Sequence, residues 1–177
     1  EAVMTIVWLS EYWKTLLPTF VYIALVYAVF TDIRFRLIPN WISIIIICAF
    51  IGFYVTSNNP SLSADHFFVS FIVLIVLLPL FAFKKMGAGD IKLVSALSLW
   101  MGPTHIVEFL SLTALLGGLI AILYLMRTYV AMGLSVLPVY GGALASACLH
   151  GSQTVPYAIP ITFAALYLMF QLYGGLV

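Results

Sequence analysis

The chain has 177 residues, of which 64% are hydrophobic and 7% charged. A soluble domain carries roughly a quarter charged residues, so seven basic and six acidic side chains cannot cover a water-facing surface of this size, and a soluble globule is excluded. The formal net charge of +1 supplies no basic field for nucleic acid.

A helix needs about 20 mostly apolar residues to cross a bilayer. Six stretches approach this, which predicts an all-α polytopic membrane bundle of about six transmembrane helices, one membrane-embedded domain over residues 1–177. Residues 1–15 read as an interfacial arm, with Trp8, Tyr12 and Trp13 suited to the headgroup zone. The first span runs from Leu16 to Thr31. Arg34 and Arg36 follow it, rather than a small-residue cleavage site, so it reads as a retained span and not a signal peptide.

Trp41 to Val55 and Phe67 to Phe83 are the second and third spans. Ile91 to Gly102 is the fourth, short enough to need shielding by its neighbours, and His105 to Met126 is the fifth. In the fifth, Ala114 and Gly118, then Gly117 and Ala121, stand four apart, the spacing that lets helix backbones approach. Thr128 to Gln153 is apolar but broken by Pro138, Gly141, Gly142 and Gly151, which fits an interfacial helix, a re-entrant loop or a lid. Pro156 to Tyr173 is the sixth span.

With alternating spans and an exterior N-terminus, Arg34, Arg36, Lys84, Lys85, Lys92 and Arg127 fall at cytoplasmic ends and only Lys14 lies outside. This satisfies the positive-inside rule. Cys48 and Cys148 show no metal-ligand spacing and read as small buried hydrophobes. No His/Glu zinc pattern and no GxSxG nucleophile motif is present, so neither a metal nor a cofactor is expected. His105 and Glu108 share a helix face as a polar pair near the outer end of span five. His66 and His150 read as isolated boundary residues.

The acids carry the chemistry. Glu1, Glu11 and Asp65 belong to polar or terminal segments. Asp32 follows the first span directly, and Asp90 opens the fourth within Lys84-Lys85-Met86-Gly87-Ala88-Gly89-Asp90-Ile91-Lys92. The topology puts both at the same membrane boundary, where ionisable groups are costly and usually functional. Two carboxylates held close in a low dielectric share a proton. The ionised member then takes a proton from water while the protonated one polarises a carbonyl. Gly87 and Gly89, lacking Cβ atoms, let backbone or an extended substrate approach Asp90. A proton relay in a small transporter and a helix-capping role in a structural subunit are the competing uses of the same carboxylates.

Gly87-Ala88-Gly89-Asp90 reads as GxGD. Together with Thr31-Asp32-Ile33-Arg34, Ile38-Pro39-Asn40 and Lys92, it resembles the prepilin peptidases of the A24 family, GxGD intramembrane aspartyl proteases. The likeness is strong from Phe30 to Gly102, and Val155-Pro156-Tyr157 is similar to a motif before the family's last span. The resemblance implies that Asp32 and Asp90 are catalytic and that a prepilin is cut after a glycine, with no metal. Gly87, Gly89, Arg34, Arg36 and Lys92 would shape the site or bind substrate, although topogenic charge also explains the three basic residues. The chain has neither an N-terminal CxxC pair nor length for the cysteine-rich segment of the larger members. It therefore resembles the short, peptidase-only type of Flp or tight-adherence pilus systems, without methyltransferase activity. Archaeal preflagellin peptidases are a close variant. The implied location is a bacterial inner membrane, with the site toward the cytoplasm.

Overall fold

The computed structural model describes residues 2–56, 64–84, 86–135 and 157–173. They form five helices: α1 (Ala2–Phe35), α2 (Asn40–Thr56), α3 (Asp65–Ala82), α4 (Ala88–Ser135) and α5 (Ala158–Tyr173). No strand occurs among the described residues. Thr15–Phe35, Asp65–Ala82 and Ala88–Met126 are long and apolar enough to cross a membrane, and α2 and α5 are shorter apolar helices. The chain is an all-helical membrane protein.

Two boundaries differ from the hydropathy reading. The arm is not a separate element, because α1 continues unbroken from Ala2 through the first span. The same helix also passes Thr31 and runs to Phe35, so Asp32 sits in its last turn rather than after it. Charge ends an apolar run, but backbone hydrogen bonding continues until a residue leaves the helical region. Here that residue is Arg36, at φ 55°, with Pro39 following before α2 starts at Asn40. Lys84 ends the α3 segment in the same left-handed conformation, φ 54°. Most of the broken apolar stretch lies outside the described residues, although α4 reaches into it as far as Ser135.

The helices α1, α2, α4 and α5 close a ring by packing α1 on α2, α2 on α4, α4 on α5 and α5 on α1, while α3 lies outside against α4. The first half of α4 is therefore central. Leu93 to Gly102 are buried without interruption, which explains how so short a segment survives in a bilayer. At 1.5 Å per residue, Ala88 to Met101 rises about 20 Å, short of the roughly 30 Å hydrocarbon core, and the ring of neighbours shields it from lipid. By contrast α3 fully buries only His66 and Val73, with Val69 and Leu77 partly packed against the core, and most of its other apolar side chains are exposed.

The fourth and fifth apolar stretches are two arms of one element broken at Gly102 (φ 61°, ψ −172°), a conformation essentially reserved for glycine. Pro103 follows. It has no N–H to offer the carbonyl of Leu99 four residues back, and buried carbonyls left unpaired are costly. Two side chains from distant helices meet the demand. His66 Nδ1 lies 2.7 Å from the Leu99 oxygen, and the Tyr173 hydroxyl donates to the Trp100 oxygen at 2.9 Å. His66 is thus a buried donor, 8% exposed, and not the boundary residue expected from sequence. Its ring stacks on Phe50 with centroids 5.6 Å apart. Trp100, fully buried, meets Phe50 and Tyr173 edge-on, each at 5.6 Å, and donates its indole N–H to the Ile46 carbonyl at 3.2 Å.

Of the small residues in the second arm, Gly117 packs beside Pro160 of α5, whereas nothing stands within 4 Å of a Cβ placed at Gly118. His105 and Glu108 form the anticipated exposed pair, Nδ1 to Oε2 3.4 Å.

Candidate active site

Asp32 and Asp90 come from different helices and reach one end of the bundle. Asp32 points from the last turn of α1 into the interior and is 8% exposed. Its Oδ2 accepts the backbone N–H of Ala158 at 3.1 Å, and the Arg36 charge acts on it from the end of its own helix. Asp90 is half-buried in the first turn of α4. It is the third residue of that helix and not its N-cap. Gly87 holds the cap position, because its carbonyl takes the first helical bond from the Ile91 N–H at 3.2 Å. The Asp90 carboxylate reaches back to the Gly87 N–H and lies within range of the Asp32 charge, the geometry of an acid in a capping box.

Two contacts draw the start of α4 onto the α1–α2 connection. A Cβ placed on Gly89 would stand 2.9 Å from the Ile38 Cβ and 3.4 Å from the Ile38 carbonyl oxygen, so only glycine lets these backbones meet. Lys92 Nζ donates to Asn40 Oδ1 at 2.9 Å. Lys92 thereby ties α4 to the first residue of α2, a structural use that its charge alone did not suggest. Arg34 is exposed at the same end. Thr31, buried beside Asp32, returns its hydroxyl to the Ala28 carbonyl at 3.0 Å. The residue that sequence reasoning missed is Ala158. Its contribution is a backbone N–H, which no side-chain letter announces, and the proline-containing motif just before it was the available signal.

Gly87 lies directly against the Asp90 carboxylate. A Cβ there would stand 2.9 Å from Oδ2. The carboxylate is a side-chain tip and moves more easily than the helix does. Gly87→Ala is therefore expected to keep the fold while turning the Asp90 carboxylate aside. Displacing a reacting group by about 1 Å costs up to ~100-fold in rate. The check is cleavage rate alongside thermal stability, and an alanine variant with normal activity would remove Gly87 from the site.

The arrangement defines a class: a helical membrane protein with two carboxylates at one end of the bundle, within range of each other's charge, beside a glycine-built turn. Across residues 19–122 the sequence matches the type IV leader peptidase family, Peptidase_A24. That span covers more than half the chain and includes both aspartates, and the chain belongs to this family. Comparison with curated proteins and with solved structures produced no match.

Proposed function

We propose that the chain is a membrane-embedded aspartic endopeptidase that removes the leader peptide of a type IV, Flp-like prepilin, with Asp32 and Asp90 as its catalytic pair. The observation that carries this reading is the convergence of the two carboxylates, from the end of α1 and the start of α4, within range of each other's charge. Repulsion makes double ionisation costly, so the pair holds one proton. The ionised member accepts a proton from the attacking water as its oxygen bonds to the scissile carbonyl carbon. The protonated member donates to the carbonyl oxygen. Collapse of the tetrahedral intermediate breaks the C–N bond, and the departing nitrogen takes up a proton. Gly87 and Gly89 leave room for an extended substrate strand beside Asp90. Arg34 and Arg36 stand at the same end, suited to acidic groups of the substrate or to tuning the pair.

The chain acts as a single domain with six crossings and its site at the cytoplasmic face of a bacterial inner membrane. Reporter fusions after Lys85 and after Asn59 should read cytoplasm and exterior respectively; the reverse pattern would place the carboxylates on the wrong side for a substrate with a cytoplasmic leader. Co-expression with an Flp-type prepilin should produce a shortened pilin with a new N-terminus just after a glycine. An unprocessed prepilin in cells with normal amounts of folded enzyme would sink the assignment.

A further inference from the structure

We propose that the backbone N–H of Ala158 is a positioning group for the catalytic pair, seating the Asp32 carboxylate from the start of α5. This rests on the peptidase reading above and extends the site beyond residues 19–122, the part matched by the family.

Ala158 is the first residue of α5. The carbonyl of Tyr157, just before it, accepts the first helical bond, from the Ile161 N–H at 3.4 Å. The N–H groups of a helix's first turn have no partner within the helix. In α5 one of these positions is Pro160, which has no N–H at all. The Ala158 N–H goes instead to Asp32 Oδ2 at 3.1 Å. Ala158 is fully buried and Asp32 is 8% exposed, so water has little access to replace either partner. A donor aimed at a carboxylate favours its charged form, and the positive end of the helix dipole adds to this. Among the described residues, the charged groups that act on or with Asp32 are Asp90 from α4 and Arg36 from the end of α1. The Ala158 bond fixes which way Asp32 Oδ2 points and leaves its other oxygen for the partner or for water.

The bond can be deleted without changing a side chain. Replacing Ala158 by lactic acid converts the N–H to an ester oxygen of nearly the same shape, at a position whose N–H makes no helical bond, and only weakens the Tyr157 carbonyl as the acceptor of the Ile161 N–H. Ala158→Pro removes the same donor at a helix position that tolerates proline. Ala158→Gly retains the donor. Two readouts are needed. One is the pH–rate profile for cleavage of a purified Flp-type prepilin in detergent. The other is the infrared or carbon-13 titration of the Asp32 carboxyl in an Asp90→Asn background, which requires no turnover.

The ester and proline variants should move both the acid limb of the profile and the Asp32 titration upward by roughly one pH unit, with kcat falling more than KM rises. The glycine variant should titrate with the wild type. Unmoved profiles in the ester variant would overturn the proposal and reduce the contact to a helix cap. Should the wild type fail to cleave while the ester still shifts the Asp32 titration, the protease reading falls and the seating contact stands. If the proline variant does not fold, the ester decides the question.

Discussion

Asp32→Asn and Asp90→Asn should each eliminate prepilin processing, with losses of roughly 10³-fold or more. Asparagine keeps the shape of the side chain and one oxygen acceptor but cannot hold the shared proton or become charged. At position 90 it still offers an acceptor to the Gly87 N–H, and at position 32 one to the Ala158 N–H, so both helix starts remain satisfied. Folding should survive, and stability should hold or rise slightly, since a repelling pair is relieved. The double variant should be no worse than either single one, because the pair acts as one unit. These expectations separate catalysis from capping. Asparagine caps helices about as well as aspartate, so a purely structural carboxylate predicts near-normal cleavage by Asp90→Asn. That outcome would remove Asp90 from the catalytic pair. Gel-shift processing assays in cells, with quantification of folded enzyme, make the comparison directly.

Gly102→Ala should be the most damaging substitution for the fold. A non-glycine residue at φ 61°, ψ −172° carries a backbone penalty of about 1–3 kcal/mol. The new Cβ would also collide with the His66 Cε1 and stand 2.8 Å from its Nδ1. The ring cannot retreat without releasing the Leu99 carbonyl, and a buried carbonyl left unpaired costs another ~1–3 kcal/mol. The combined loss, about 2–6 kcal/mol, is a large share of the roughly 5–15 kcal/mol by which domains are stable. His66→Ala removes the donor but not the glycine geometry, so it should lose only the smaller share. Unfolding in mixed micelles, followed by tryptophan fluorescence, to which the buried Trp100 contributes, measures both variants. Equal stabilities for Gly102→Ala and the wild type would contradict this account of the break.

The sequence made some of this visible and hid the rest for identifiable reasons. The boundary positions of Asp32 and Asp90 follow from where hydropathy falls and where cationic residues gather, because both patterns are local. Their approach within the bundle adds what local pattern cannot supply. Pro103 and Gly102 announce an interruption, yet nothing nearby says that His66 and Tyr173 will supply the missing donors. Those partners lie 33 and 73 residues away and are chosen by packing. The end of α1 was misplaced because Asp32, Arg34 and Arg36 lower hydropathy before the helix stops. Asp90 looked like an N-cap because acids favour that position, whereas the glycine before it holds the cap and the acid bonds back to it. Lys92 read as a charge for topology or substrate, and its bond to Asn40 became apparent only once α2 and α4 were side by side.

The Ala158–Asp32 bond spans 126 residues, and this separation has a consequence during biosynthesis. Ribosomes add about 5–20 residues per second, so α5 emerges roughly 6–25 s after the carboxylate it meets. Until then the α1 end of the ring has no α5 against it, and Asp32 waits without its backbone partner. The growing chain carries both aspartates well before that contact can form. A nascent chain stalled before α5 should therefore insert its earlier helices and yet remain inert toward prepilins alongside it in the same membrane.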